Sequence, residues 1–246
     1  MKKALLLTGI LLVLAAPMAM ASGVNIAWGA ECWGQLTAPS NVLTFACGSN
    51  TAPASWKMTS SFMVDADFAL GAVDVLVEGV SEAGALPDWW KRSATGDCNF
   101  STGSYVISAA YAGSVGTCLD PFAGTGQGGG GYGYLTPTQI QIEGIYGVAD
   151  AVTVPAATEA FATTFTIKNV KTLGAGALSC AGCDVGMVFG LYDVILTSAT
   201  GATHLTEAIP GGNQCLIWQH AFPGQPCNPP VPVRNTTWGQ VKSLYR

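Results

Sequence analysis

Charge is scarce in this chain. Of its 246 residues, 10% are Lys, Arg, Asp or Glu, and 10 basic against 15 acidic side chains leave a net charge of −5. No run of basic residues occurs. A phosphate backbone would find no array of cations to meet it, which excludes nucleic acid as the main partner. Imidazole is scarcer still, with only His204 and His220. There is no G-x-S-x-G elbow, since the AGSVG run at 112–116 lacks the first glycine, so a Ser-His-Asp triad has no local signature. No three- or seven-residue period appears, which excludes a collagen or coiled-coil reading, and there is no internal repeat. The chain also lacks the polar bias of disorder, because 49% apolar residues are enough to bury a core.

A single long apolar run is present, over residues 4–16, broken only by Thr8 and Gly9. Lys2 and Lys3 precede it; Pro17 and the small-x-small triplet 19–21 follow it. This is the layout of a secretory signal peptide cleaved after Ala21, and the run is too short to span a bilayer as a stable helix. Cleavage also removes Lys2 and Lys3, which takes the net charge from −5 to −7. The expected product is secreted, extracellular or periplasmic, with no membrane span.

All eight cysteines lie beyond that segment: Cys32, Cys47, Cys98, Cys118, Cys180, Cys183, Cys215 and Cys227. An even count in an oxidising compartment reads as four disulfides. Grouping by proximity predicts Cys32–Cys47, Cys98–Cys118, Cys180–Cys183 and Cys215–Cys227; a Cys98–Cys180 bond would overturn that scheme. The CAGC run at 180–183 also has the letters of a redox motif. The stretch after it reads as a strand, however, and a reactive thiolate needs a helix N-terminus.

Strand signals dominate the remainder. Val73, Val75 and Val77 alternate with Asp74 and Glu78. Ile140 and Ile142 alternate with Gln139, Gln141 and Glu143, and Phe161, Thr163, Phe165 and Ile167 alternate with their neighbours. Residues 62–70, 105–111, 185–196 and 215–218 are also β-prone. Many short strands between Gly, Pro, Asn and Ser clusters predict an all-β, disulfide-stapled β-sandwich, jelly-roll-like, as one domain over 22–227. Residues 155–159 are the one stretch resembling a linker. A Pro-rich segment and a short C-terminal helix are expected over 228–246, with a capping box at 237–240 and Trp238, Val241, Leu244 and Tyr245 on roughly one face. Residues 124–134 read as a Gly-rich loop; the G-x-G-x-x-G letters at 124–129 lack the strand–turn–helix context of a dinucleotide site.

Candidate sites follow from residue chemistry. Trp89 and Trp90, within LPDWW, offer flat apolar faces suited to stacking on a sugar, with one of the two expected in the core and one outside. Tyr132 and Tyr134 would extend that ligand-binding face. Asp65, Asp67 and Asp74 are the candidate metal ligands, for calcium, although no EF-hand pattern surrounds them. Asp65, Asp67, Asp74, Glu78 and Glu143 could instead converge as the carboxylate pair of a polysaccharide hydrolase, against the simpler reading of a solvated strand face. No catalytic residue and no further cofactor is assigned.

Several phrases taken together carry a resemblance: NIAW at 25–28, FAC at 45–47, LPDWW at 86–90, CAGC at 180–183, WQ at 218–219 and RNTTWGQVKSLYR at 234–246. They resemble an uncharacterised family of secreted proteins from environmental bacteria, over nearly the whole exported chain and most specifically in the tail. The resemblance implies a bacterial exported protein of one recurring architecture and assigns no activity. The sequence therefore reads as a secreted or cell-surface β-sandwich acting as a binding or structural module, with a glycan or another surface protein as partner. The alternatives are a secreted hydrolase and a subunit of a surface assembly, whose strand edges would pair with a neighbouring copy.

Overall fold

The computed structural model describes residues 22–219 apart from 102, 115–117 and 174–178. The expected signal segment, His220, Cys227 and the Pro-rich and helical tail fall outside the described residues.

Eleven strands are described: β1 (Gly23–Trp28), β2 (Val42–Leu43), β3 (Ser55–Met63), β4 (Phe68–Ser81), β5 (Tyr105–Ser108), β6 (Gln127–Thr136), β7 (Gln139–Val154), β8 (Ala160–Lys168), β9 (Met187–Ser198), β10 (Gly201–Leu205) and β11 (Cys215–Trp218). They form two sheets. The smaller runs β1-β3-β8-β5; the larger runs β2-β11-β9-β4-β7-β6, with β10 pairing to the remaining part of the β9 edge. The chain crosses between sheets at every connection from β1 to β6 and again at β7–β8 and β8–β9, which is the jelly-roll-like sandwich the strand pattern predicts. The suspected linker, 155–159, is the crossing from β7 to β8 and marks no boundary.

The alternation along β4 explains its placement. Val73, Val75 and Val77 are fully buried between the sheets, while Asp74, Leu76 and Glu78 take the opposite face. β8 departs from simple alternation: Thr163 and Thr164 are as buried as Phe161 and Phe165. It is a central strand, and its hydroxyls find partners, Thr163 Oγ1 donating to Ser108 O at 2.9 Å.

Residues 127–136 correct the loop expectation, because the glycine run forms the regular edge strand β6. Glycine is required here by close packing. A Cβ on Gly130 would stand 2.7 Å from Ile107 Cδ1, and one on Gly144 would stand 2.9 Å from Ile107 Cγ2. Ile107 of β5 therefore rests on bare backbone, and the edges of the two sheets close against each other.

The cysteines correct three of the four pairs of the proximity scheme; the expected Cys215–Cys227 pair involves a residue outside the described ones. The bonds are Cys32–Cys118, Cys47–Cys183 and Cys98–Cys180, spanning 86, 136 and 82 residues. Cys215 is also disulfide-bonded, with its partner outside the described residues. Cys180 and Cys183 reach in different directions, to Cys98 and Cys47, so the CAGC run holds two staples and no vicinal redox pair. In the chain-entropy model, loops of this length stabilise by about 4–5 kcal/mol each, against about 3 kcal/mol for a 15-residue loop. Non-reducing peptide mapping should return these three pairs. The Cys47→Ala/Cys183→Ala double variant should lose about 2–5 kcal/mol in chemical denaturation; an unchanged midpoint would contradict the assignment.

Candidate functional site

Trp89 and Trp90 lie in a 3₁₀ turn over Asp88–Trp90, and both are fully buried. The expectation of one inner and one outer ring assumed a strand. In the turn, set by Pro87 and by Trp89 N–H donating to Ala181 O at 2.9 Å, both indoles enter the core. Trp218 is the hub they join, with ring centroids 5.3 Å from Trp89, 5.0 Å from Trp90, 4.9 Å from Trp56 and 4.5 Å from Phe45. Burying an indole removes roughly 200 Å² from water, which is about 5 kcal/mol before entropy. Turning either ring out to meet a sugar would forfeit that, so Trp89 and Trp90 are corrected from ligand platform to core.

Tyr132 and Tyr134 serve the same core. Tyr132 is buried and donates to Trp90 O at 2.5 Å; burial pushes its hydroxyl pKa well above the ordinary value. Tyr134 is partly exposed, donates to Asp97 and accepts from Arg92 N–H at 2.8 Å. Arg92 itself has no exposure. Its guanidinium lies 4.1 Å over the Trp89 ring and donates to Ser104 O and Lys168 O, with no carboxylate in ion-pair range among the described residues. Burial lowers its pKa to about 10, so it remains charged at neutral pH. The Gly-rich segment's tyrosines thus anchor the 88–97 loop onto the sandwich and do not make a separate ligand-binding face with Trp89 and Trp90.

The candidate metal ligands separate. Asp65 and Asp67 lie in the exposed β3–β4 turn, where Asp67 Oδ1 accepts from Ala156 N–H at 2.9 Å. Asp74 is mid-strand, roughly 20 Å further along β4 at 3.3 Å per residue. The three cannot share one calcium ion, and no group of three His, Cys, Asp or Glu among the described residues could hold a metal. Of the strand carboxylates, Asp74 and Glu143 lie close together, with Asp193 beside them. Glu143 and Asp193 stand opposite Leu76 from its two sides, on the outer face of the larger sheet. Asp74, beside them, has its pKa raised by burial first and then by the charges of Glu143 and Asp193.

A different carboxylate sits in a cavity. Glu159 precedes β8 and is buried, with Oε1 accepting from Asn25 Nδ2 at 2.8 Å and Ser61 Oγ at 2.7 Å, and Oε2 accepting from Gly34 N–H at 3.0 Å. A Cβ on Gly34 would lie 2.5 Å from that Oε2, so the carboxylate rests against bare backbone. Next to it opens a cleft of about 750 Å³, lined by Gln35, Tyr111, Asp120, Thr158 and Glu159 among others. Cys32–Cys118 staples one wall. Leu119 N–H donates to Glu159 O and Phe161 N–H to Leu119 O, locking the 118–120 loop beside β8. Glu31 accepts from Tyr111 Oη at 2.9 Å and from the Ser114 N–H and Oγ at 2.8 Å, orienting the phenol at the rim. The site is not legible in the sequence because its residues come from five distant segments. The one local sign is a Glu placed directly before an apolar strand, where the sequence suggests only the end of a linker.

No protein-family model matches the chain, and no curated protein matches it. Among solved structures it is similar to a cohesin module from a Clostridium perfringens family 33 glycoside hydrolase, at 6% identity and TM-score 0.33, over 76% of this chain and 98% of that one. It is also similar to AvmM, which catalyses macrocyclization in alchivemycin A biosynthesis, at 10% identity and TM-score 0.32, over 81% of this chain and 85% of that one. Likeness this distant transfers neither activity nor partner.

Two outcomes follow for the carboxylates. Glu159→Ala leaves Asn25, Ser61 and the Gly34 N–H without their acceptor and should cost about 3 kcal/mol in urea unfolding; a loss below about 0.5 kcal/mol would show that the network does not hold the cleft. For Asp74 the raised native pKa means that the folded chain binds the proton more tightly than the unfolded one. Its favourable contribution is therefore present below the usual Asp range and is lost as pH rises through the raised native value. Asp74→Asn should melt at a higher temperature than the parent at pH 7, with the gap closing towards pH 3. The same gap at both pH values would rule out titration of Asp74 as its cause.

Proposed function

We propose that the chain is exported from a bacterium and acts outside the cytoplasm as a disulfide-stapled binding module, taking a glycan in the Glu159 cleft. Three disulfides among the described residues support the oxidising compartment. No helix among the described residues is long and apolar enough to cross a membrane.

The observation that carries the ligand class is the lining of the cleft. It brings a carboxylate, a second carboxylate at Asp120, an amide at Gln35, a hydroxyl at Thr158 and a phenol ring into one concavity of ligand size. Sugars present many hydroxyl donors and one apolar ring face; acceptors of this kind beside an aromatic ring meet both needs. Binding is favoured over hydrolysis because Glu159 is already engaged by three protein donors, which makes it a fixed part of the wall.

A glycan array followed by calorimetric titration tests the reading. Asp120→Asn keeps the atom that accepts from Phe122 N–H, and Gln35→Ala removes a wall side chain; each should weaken binding about tenfold, or about 1.4 kcal/mol, with an unchanged melting temperature. Binding that survives both substitutions, or no binding to any glycan, would refute the assignment. Release of reducing sugar during the titration would move the chain to the hydrolase class.

A further inference from the structure

Among the described residues, β6 is the outer strand of the larger sheet and pairs only with β7. Exposed edges in natural β-proteins are blunted by charge, proline or a bulge, because free N–H and C=O groups otherwise recruit another strand. Residues 127–134, QGGGGYGY, carry no charge and no proline, and the register stays regular until the shift between Tyr134 and Thr136. The glycines divide by face. Gly128 and Gly130 press on the neighbouring strand, where a Cβ would meet Ile145 O and Glu143 O at 2.0 and 2.3 Å. Gly129, Gly131 and Gly133 face open space. Packing therefore explains the inward glycines and leaves the outward ones unexplained.

We propose that β6 is a dimerisation edge. Two copies of the chain pair β6 against β6, antiparallel about a two-fold axis, so that the two larger sheets become one continuous sheet.

Three features favour a second copy as the occupant. Antiparallel self-pairing sets the strand against its own reverse, and an uncharged strand does this without opposing like charges. A glycine edge has no side-chain pockets with which to select a foreign peptide, whereas backbone pairing between identical edges needs none. The third feature is that exposed apolar side chains flank this margin, on the outer faces of both sheets. Of seven large apolar side chains left exposed among the described residues, Val106 lies on β5, Tyr134 and Leu135 on β6, and Ile145 on β7 opposite Gly129. β5 is the edge of the smaller sheet and lies on the same side of the sandwich, since Ile107 packs on Gly130. A partner copy would cover about 30 Å of the β6 edge and about 13 Å of the β5 edge.

The experiment is sedimentation velocity on the disulfide-intact exported chain from about 1 µM to about 300 µM, with amide hydrogen exchange at both ends of that range. The expected result is a monomer–dimer equilibrium in which protection over residues 127–136 rises with concentration. Gly129→Lys/Gly131→Lys, whose side chains enter open space, should raise the dimer dissociation constant at least tenfold at an unchanged melting temperature. Monomer at every concentration, open-ended oligomers, protection gained elsewhere, or a dimer indifferent to the lysines would each overturn the proposal. Should the lysine variant misfold, the exchange pattern of the parent chain still decides it.

Discussion

The packing of indoles around Trp218 is the constraint on which the rest of this structure depends. Trp218 ends the last described strand, in the larger sheet, and its ring meets Trp28, Phe45, Trp56, Trp89 and Trp90, which come from the smaller sheet and two loops. Its Nε1–H donates to Cys183 O at 2.8 Å, so the cluster is also tied to the segment that carries two of the disulfides. Small sandwiches stand or fall on how well the inner faces interdigitate. Here large rings fill the space that a row of aliphatic side chains would otherwise occupy, and the long 82–104 connection is drawn inward to supply two of them.

That inward draw has an electrostatic consequence. Arg92 follows the tryptophans into the interior, where a charge without a carboxylate is costly. Indole faces and backbone carbonyls hold it instead, and Tyr134 and Asp97 fasten the loop just outside it. The aromatic residues that first suggest ligand stacking are thus consumed by the core. In the proposed function, recognition falls to the opposite chemistry, the carboxylates and hydroxyls around Glu159. Core and cleft share the strand pair β3–β8: Trp56 of β3 joins the indoles, while Ser61 of the same strand donates to Glu159 just ahead of β8. A change that loosens this pair would be felt in both places.

The disulfides fit the same arrangement. Each ties a loop at one end of the sandwich to a segment at least 82 residues away, closing large loops around a core that local bonds would not have braced. Cys32–Cys118 holds the cleft wall, and Cys47–Cys183 and Cys98–Cys180 flank the loop that delivers Trp89 and Trp90. The framework therefore stabilises the places where the chain leaves regular strand geometry.

Much of the architecture was determined by sequence alone. Period-two alternation is a local property, so Val73, Val75 and Val77 declared an inner face and the strands around them could be placed without coordinates. Cysteine parity and the leading apolar run spoke for an oxidising compartment in the same way. Tertiary structure decided what depends on distance in space. The partners in three disulfides were set by which loops the sandwich brings together, against the nearest-neighbour grouping. Trp89 and Trp90 went inward because a 3₁₀ turn replaced a strand, and a glycine run became an edge strand because Ile107 needed its bare backbone. Glu159 acquired a cleft only when segments around residues 25, 34, 61 and 120 met beside it. Alternation is written in consecutive residues, whereas a site made by chain crossings has no pattern until the crossings exist.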